Sequence, residues 1–321
     1  MTRVLAGGSF RVSGLGAALP GDLVTNADLA AHLDTSDAWI RSRTGIHARH
    51  RAGPHDTTTA LAVTAASAAL RDADLGAADV NLVVVATATP DTACPATASR
   101  VARDLGTTGA SFDLNGACCG FVHALLVAAS LIGATTVDTV LVVGADRFSS
   151  LVDPADRSTA VLFGDGAAAV VPRRGEPGDD FGLLGSDLGG EPAALGVLEV
   201  PPTARHLRMD GPELFRRATR ALVASSAAAL TRAGVEADEV DLFVPHQANA
   251  RIIAAAADRL GIGSDRTMLD VAERANTSAA SVPLALHAAR RDGRLDDGAL
   301  VLLSAVGAGL GWASAVVRWG R

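Results

Sequence analysis

The sequence has no lysine and no tyrosine, only three cysteines, and few aromatic residues, 3% of its 321 positions. Without lysine there is no Schiff base to a carbonyl substrate or to pyridoxal phosphate, and without tyrosine no phenolic acid or base. All 28 basic charges are arginine, which stays protonated at any working pH. Three cysteines, two of them adjacent, cannot build a disulfide framework, which points to a reducing compartment. The net charge of -7 argues against a general nucleic-acid binder. The N-terminal MTRVLAGGSF lacks a long apolar signal region, and every long apolar stretch carries a Gly or charge interruption. No membrane span and a cytoplasmic location are therefore expected. The candidate nucleophiles that remain are cysteine, serine, threonine and carboxylates.

Hydrophobic residues make up 49% of the chain, so with few aromatics the core must be built from Ala, Val and Leu. That composition suits closely packed helices and parallel strands. The length allows about two domains, or one two-lobed unit, at roughly 150 residues per domain. A repeat favours the second. Laid over residues 224–246 without a gap, residues 64–86 match at Ala68, Ala69, Leu70, Ala73, Ala77, Val80, Leu82 and Val84. Both copies read as helix, acidic turn and short apolar strand. TVLVVGAD (139–146) likewise resembles ALVLLSAVG (299–307), and AAAVV (167–171) resembles ASAVV (313–317). The reading is an α/β fold of two duplicated halves, 1–172 and 206–321, with mostly parallel sheets. Residues 173–205, where Gly, Pro and Asp cluster, read as the linker.

Three segments carry chemistry. DLNGACCGF (113–121) places a cysteine pair where a strand gives way to an apolar helix, in the positive field of a helix N-terminus that favours the thiolate. The plainer reading is a small buried hydrophobe. VPHQAN (244–249) places His246 at the C-terminal end of a strand, where α/β proteins gather functional groups, although a lone histidine is more often structural. NTSAASVP (276–283) opens a helical pattern at Asn276, where an N-cap is the more common use of asparagine.

In order and spacing these segments resemble the active-site motifs of the β-ketoacyl-acyl-carrier-protein synthase III family, within the thiolase-like superfamily. The resemblance covers nearly the whole chain, including WIRSRTGI (39–46), DPADRSTAVLFGDGAAAVV (153–171), HLRMDGPELF (206–215) and VGAGLGWASAVVRW (306–319). It implies a five-layer αβαβα fold of two duplicated halves, a homodimer, and Cys118, His246 and Asn276 as the catalytic residues, with Cys119 in a small-residue slot.

The implied reaction has two halves. Cys118 takes an acyl group from acyl-CoA as a thioester, and malonyl on an acyl carrier protein then loses CO2 and attacks it. His246 and Asn276 would stabilise the enolate, and the backbone N–H groups of Cys118 and Ala308 the second oxyanion. By the same resemblance, Trp39, Arg43 and Arg157 hold CoA, and Gly211, Phe215 and Asn249 line the pantetheine tunnel. Arg216, Arg251 and Arg259 face the carrier protein. Acyl-CoA and malonyl-carrier protein are substrates, and neither a cofactor nor a metal is implied. Cys94 falls in a segment that reaches across the dimer to the neighbour's acyl pocket, where some members place a bulky aromatic, so a primer larger than acetyl is expected. The rival reading is an acyltransferase that delivers the acyl group to a hydroxyl or amine without decarboxylation.

Overall fold

The apolar run at 82–86 and its counterpart at 242–245 lie in two separate sheets, each flanked by elements in matching order. The computed structural model describes residues 9–134, 136–176 and 178–321. Its first half comprises β1 (Phe10–Ala18), β2 (Asp22–Thr25), α1 (Asn26–Ala30), α2 (Asp37–Thr44), β3 (Ala48–Arg51), α3 (Thr58–Asp72), β4 (Leu82–Ala86), α4 (Thr97–Leu105), β5 (Ala110–Leu114), α5 (Gly120–Ala134), β6 (Val140–Arg147), α6 (Arg157–Ala160) and β7 (Asp165–Arg174). The second comprises β8 (Gly182–Gly190), β9 (Leu198–Glu199), β10 (Arg208–Met209), α7 (Gly211–Ala233), β11 (Leu242–Pro245), α8 (Ala250–Leu260), α9 (Val271–Arg274), α10 (Ser281–Arg291), β12 (Leu300–Gly307) and β13 (Gly311–Arg318).

The first sheet runs β1-β7-β6-β4-β5 and the second β11-β12-β13-β8. β8, β13, β12 and β11 thus repeat β1, β7, β6 and β4. The missing fifth strand survives as one parallel bridge between Phe243 and Thr267. The duplication inferred from residues 64–86 and 224–246 is this one: α3 and α7, then 3₁₀ turns at 77–79 and 237–239, then β4 and β11.

Two expectations are corrected. The sheets are mixed, because β6–β4–β5 and β11–β12 are parallel whereas β1–β7–β6 and β12–β13–β8 are antiparallel. Only Ala308, Gly309 and Leu310 join β12 to β13, and a loop that short permits only a hairpin. The stretch 173–205 is more than a linker, since it includes β8, paired along its length with β13.

Apolar side chains fill three layers between and outside the sheets. A central core packs α5 and α10 between the inner faces, α3 and α4 cover the first sheet, and α7 and α8 cover the second. With the two sheets these make the αβαβα order. Burial on both faces explains why β4 and β12 are apolar at almost every position. The same burial accounts for α5. Residues 117–134 are apolar and long enough to cross a membrane, but most are enclosed between the sheets.

Candidate active site

At the end of β5 the chain turns through Asn115, whose Oδ1 accepts from the Ala117 N–H at 3.2 Å. Ala117 adopts φ +46°, a left-handed conformation that non-glycine residues rarely take. A 3₁₀ turn over 117–119 then carries the two cysteines into α5. Cys118 faces a cavity. Cys119 points the other way, its thiol donating to the Gly311 carbonyl at 3.2 Å. Gly307, at the end of β12, presses on this turn: a Cβ there would stand 2.9 Å from the Cys118 nitrogen.

Cys118 Sγ lies 3.7 Å from Ser278 Oγ. Burial pushes the thiol up to about 12, a hydrogen bond with Ser278 opposes the rise, and the Asp146 charge adds to it. Desolvation is the largest influence on the thiol. Cys119 is raised as well, by burial and then by its neighbour Cys118.

His246 follows β11, and its Nδ1 meets Ser281 Oγ at 2.5 Å. The same oxygen accepts from the Gln247 N–H at 3.2 Å, so the Ser281 hydroxyl is free to donate its proton to Nδ1. In the tautomer in which it does so, the ring proton is on Nε2. Burial pushes His246 down to about 4, leaving the imidazole neutral near pH 7. Gln247 fixes the backbone beside it, donating to the Pro245 and Met268 carbonyls and accepting from the Asp270 and Val271 N–H groups.

Asn276 precedes the matching turn of the second half. Its Oδ1 accepts from the Ser278 N–H at 2.9 Å, which leaves the Nδ2 donors for the cavity. Ala275 and Ser278 also have positive φ, +57° and +51°. The 3₁₀ turn 278–280, leading into α10, therefore mirrors the turn 117–119 leading into α5, with Ser278 in the left-handed place of Ala117. Duplication has set two strained turns side by side at the joint of the halves.

Cys118, His246 and Asn276 converge on one cavity of about 130 Å³, together with Gly211, Phe215 and Asn249. Leu162, Phe163, Leu198, Met209 and Val306 supply its apolar wall. Met209 and Gly211 continue into a shallower groove that holds Trp39, with the Arg157 guanidinium 4.9 Å from the Trp39 ring. Arg157 also donates to the Asp34 carbonyl at 2.6 Å. Asn249 caps α8 through Arg251 N–H and donates to the Arg43 carbonyl at 3.1 Å. Arg43 is exposed, outside both the cavity and the groove. Ala308 follows Gly307 in the hairpin loop.

Arg216, Arg251 and Arg259 are exposed on α7 and α8. Arg216 pairs with Glu213, and Arg251 lies 5.6 Å from the Phe215 ring. Cys94 is exposed in the loop before α4 and does not line the cavity at Cys118. Sequence reasoning missed Ser278, Ser281 and Asp146. The two serines lie inside NTSAASVP, and Asp146, next to last in β6, is a carboxylate that an apolar strand does not require.

A cysteine and an asparagine on duplicated turns, joined by a strand-end histidine within an αβαβα fold, place the molecule in the thiolase-like class. Residues 112–192 match the 3-oxoacyl-[acyl-carrier-protein (ACP)] synthase III description, and residues 230–319 match its C-terminal counterpart. The chain belongs to the β-ketoacyl-[acyl-carrier-protein] synthase III family. It is 47% identical to β-ketoacyl-[acyl-carrier-protein] synthase III 2 of Streptomyces coelicolor, covering 96% of this chain and 93% of that protein. The crystal structure of 3-oxoacyl-(acyl carrier protein) synthase III from Pseudomonas aeruginosa PAO1 superposes at TM-score 0.93 with 47% identity, covering 98% of this chain and 99% of that one. That of the priming β-ketosynthase from the R1128 polyketide biosynthetic pathway gives 0.92 and 36%, covering 99% and 98%.

Proposed function

We propose that this protein catalyses the decarboxylative condensation of an acyl group, taken from acyl-CoA, with malonyl carried on an acyl carrier protein. The observation that carries the reading is the convergence of a thiol, a neutral imidazole and an oriented carboxamide on one apolar cavity. Cys118 Sγ attacks the thioester carbonyl, and the oxyanion is held by the backbone N–H groups of Cys118 and Ala308. Collapse expels CoA and leaves acyl-Cys118. Malonyl then enters with its thioester oxygen towards His246 Nε2 and Asn276 Nδ2. Both are neutral donors, suited to an oxygen that gains charge as CO2 departs. The resulting carbanion attacks the acyl carbonyl, Cys118 is released, and β-ketoacyl-carrier protein leaves. The chemistry is complete with these residues and two substrates, so no cofactor is proposed.

Trp39, with Arg157 beside it, offers a stacking face for the CoA adenine, and Arg43 a charge for its phosphate. Pantetheine runs past Gly211, Phe215 and Asn249 to Cys118. Arg216, Arg251 and Arg259 form the basic face for the acidic carrier protein, which a chain of net charge -7 needs locally. A homodimer is supported by the unpaired outer edge of β5, with Phe112 37% exposed, beside the exposed loop that carries Cys94. Small at that position, Cys94 favours a primer larger than acetyl in the partner's pocket. Three free cysteines accord with a cytoplasmic setting. Incubation with acyl-CoA and malonyl-carrier protein should release CO2 with a β-ketoacyl product. Acylation of Cys118 followed by transfer to a hydroxyl or amine, with no CO2, would instead establish the acyltransferase reading.

A further inference from the structure

Asn276 can serve an enolate only if its carboxamide is held with Nδ2 towards the cavity, and that hold runs through a strained turn. Its Oδ1 accepts from the Ser278 N–H at 2.9 Å, so the direction of Nδ2 depends on where the backbone places Ser278. Ser278 is fully buried with φ +51°, a left-handed conformation that such a residue keeps only where its surroundings impose it. What meets this turn from the other half is the end of β6. A Cβ at Gly144 would stand 2.4 Å from the Ala279 carbonyl oxygen, so strand and turn are in direct contact. Two residues on, Asp146 Oδ2 accepts from the Ala279 N–H at 3.0 Å. Asp146 is 0% exposed and has no arginine partner among the described residues. Its Oδ1 accepts from the Thr87 hydroxyl, the Ala88 N–H, and both the N–H and the hydroxyl of Thr89. These residues form the loop after β4 that leads on to Cys94. One carboxylate therefore ties that loop to the turn behind Asn276, 133 residues away. A neutral amide could satisfy the loop with its single oxygen, but it would then set its own N–H groups against the Ala279 N–H. Burying a charge without a cation is costly, and a second acceptor oxygen is what the charge supplies.

We propose that Asp146 is a positioning residue for decarboxylation: through the Ala279 N–H it holds the 278–280 turn, so that the Ser278 N–H fixes the Asn276 carboxamide with Nδ2 towards the malonyl thioester. This rests on the reading of Asn276 as an enolate donor. Asp146 touches no substrate and takes no proton. Its charge opposes ionisation of the Cys118 thiol, so neutralising it does not hinder acylation, and the two half-reactions should separate. In Asp146→Asn the amide turns its oxygen to the four donors of the 87–89 loop, and only the turn behind Asn276 is released.

Single-turnover kinetics on the full chain separate the half-reactions. Acylation is read as the intact mass of acyl-Cys118 after mixing with acyl-CoA. Decarboxylation is read as CO2 released when the acylated enzyme, freed of acyl-CoA, meets a range of malonyl-carrier protein concentrations. Asp146→Asn should acylate within about threefold of the wild type while its maximal CO2 release falls about 100-fold, the usual result of displacing a catalytic group by about 1 Å. The KM for malonyl-carrier protein should not change. In an Asn276→Ala background the same substitution should cost less than about threefold more, because the group it positions is gone. The proposal is overturned if both half-reactions fall in parallel, as a general loss of structure would cause, or if Asp146→Asn costs Asn276→Ala as much as it costs the wild type. If Asp146→Asn does not fold, Asp146→Ser, too short to span loop and turn but free of the donor conflict, is read against the same criteria. An Asn276→Ala enzyme that releases CO2 at the wild-type rate would sink the enolate-donor reading and the proposal with it. A slow Asn276→Ala beside an unimpaired Asp146→Asn would sink the proposal alone.

Discussion

Acidification should cost this protein stability through one histidine, and the size of the loss follows from the site. His246 is buried and pushed down to about 4, against an ordinary 6.5. Above pH 6.5 the folded and unfolded chains both hold it neutral, so it contributes no pH dependence. Below that the unfolded chain takes up a proton that the native chain refuses. Stability therefore falls as pH drops from about 6.5, and the loss is complete near pH 4. At about 1.36 kcal/mol per pH unit the full loss is about 3 kcal/mol, and at pH 4.5 about 2.5 kcal/mol. Urea unfolding at one protein concentration, at pH 7.5 and at pH 4.5, measures the total loss. His246→Gln removes this histidine's share while leaving the carboxylates in place. The wild type should lose about 2.5 kcal/mol more than the variant over that interval. Equal losses would refute the buried neutral imidazole, and with it the Nε2–H donor assigned to the enolate.

Three further outcomes follow from the same geometry. Asn276→Ala should lower malonyl decarboxylation by about 10²–10³-fold, the usual worth of one oxyanion donor; a loss under about threefold, read as CO2 release, would remove Nδ2 from that role. Gly307→Val should slow acylation of Cys118 far more than it lowers the thermal midpoint, because a Cβ there meets the Cys118 nitrogen at 2.9 Å; intact-mass acylation rates check this, and an unchanged rate would contradict it. Phe148 stacks on Phe163, a wall residue of the cavity, at 4.6 Å between centroids. Phe148→Ala should cost about 3 kcal/mol of stability and let longer acyl-CoAs load, measured by competition between acyl chain lengths.

The architecture was legible where the sequence pattern is local and repeated. Helix, turn and strand recur at residues 64–86 and 224–246 with the same internal spacing, and that alone discloses the duplicated halves. β8 was not legible. Its GLLGSDLGG has four glycines and no β-branched residue, so it carries none of the propensity that marks a strand; its place comes from pairing with β13. Motif residues Cys118, His246 and Asn276 could be picked out because each stands at an element boundary in a segment with family resemblance. Ser278, Ser281 and Asp146 could not, since their significance lies in contacts that span the fold. The Ala279 N–H reaches Asp146 across 133 residues of chain, a separation over which no period or propensity speaks. A helix N-terminus can be read from sequence, whereas the burial that raises the Cys118 thiol depends on the second half closing over the first.

The central claim is that acyl-Cys118 is consumed by a malonyl-derived carbanion, and a single-turnover experiment tests it most directly. The enzyme is loaded with acyl-CoA, freed of excess, and mixed with malonyl-carrier protein, while intact mass follows acyl-Cys118 and trapped label follows CO2. The acyl mass should vanish in step with stoichiometric CO2 and β-ketoacyl-carrier protein. Loss of the acyl group without CO2, or CO2 release that leaves acyl-Cys118 untouched, would contradict the account.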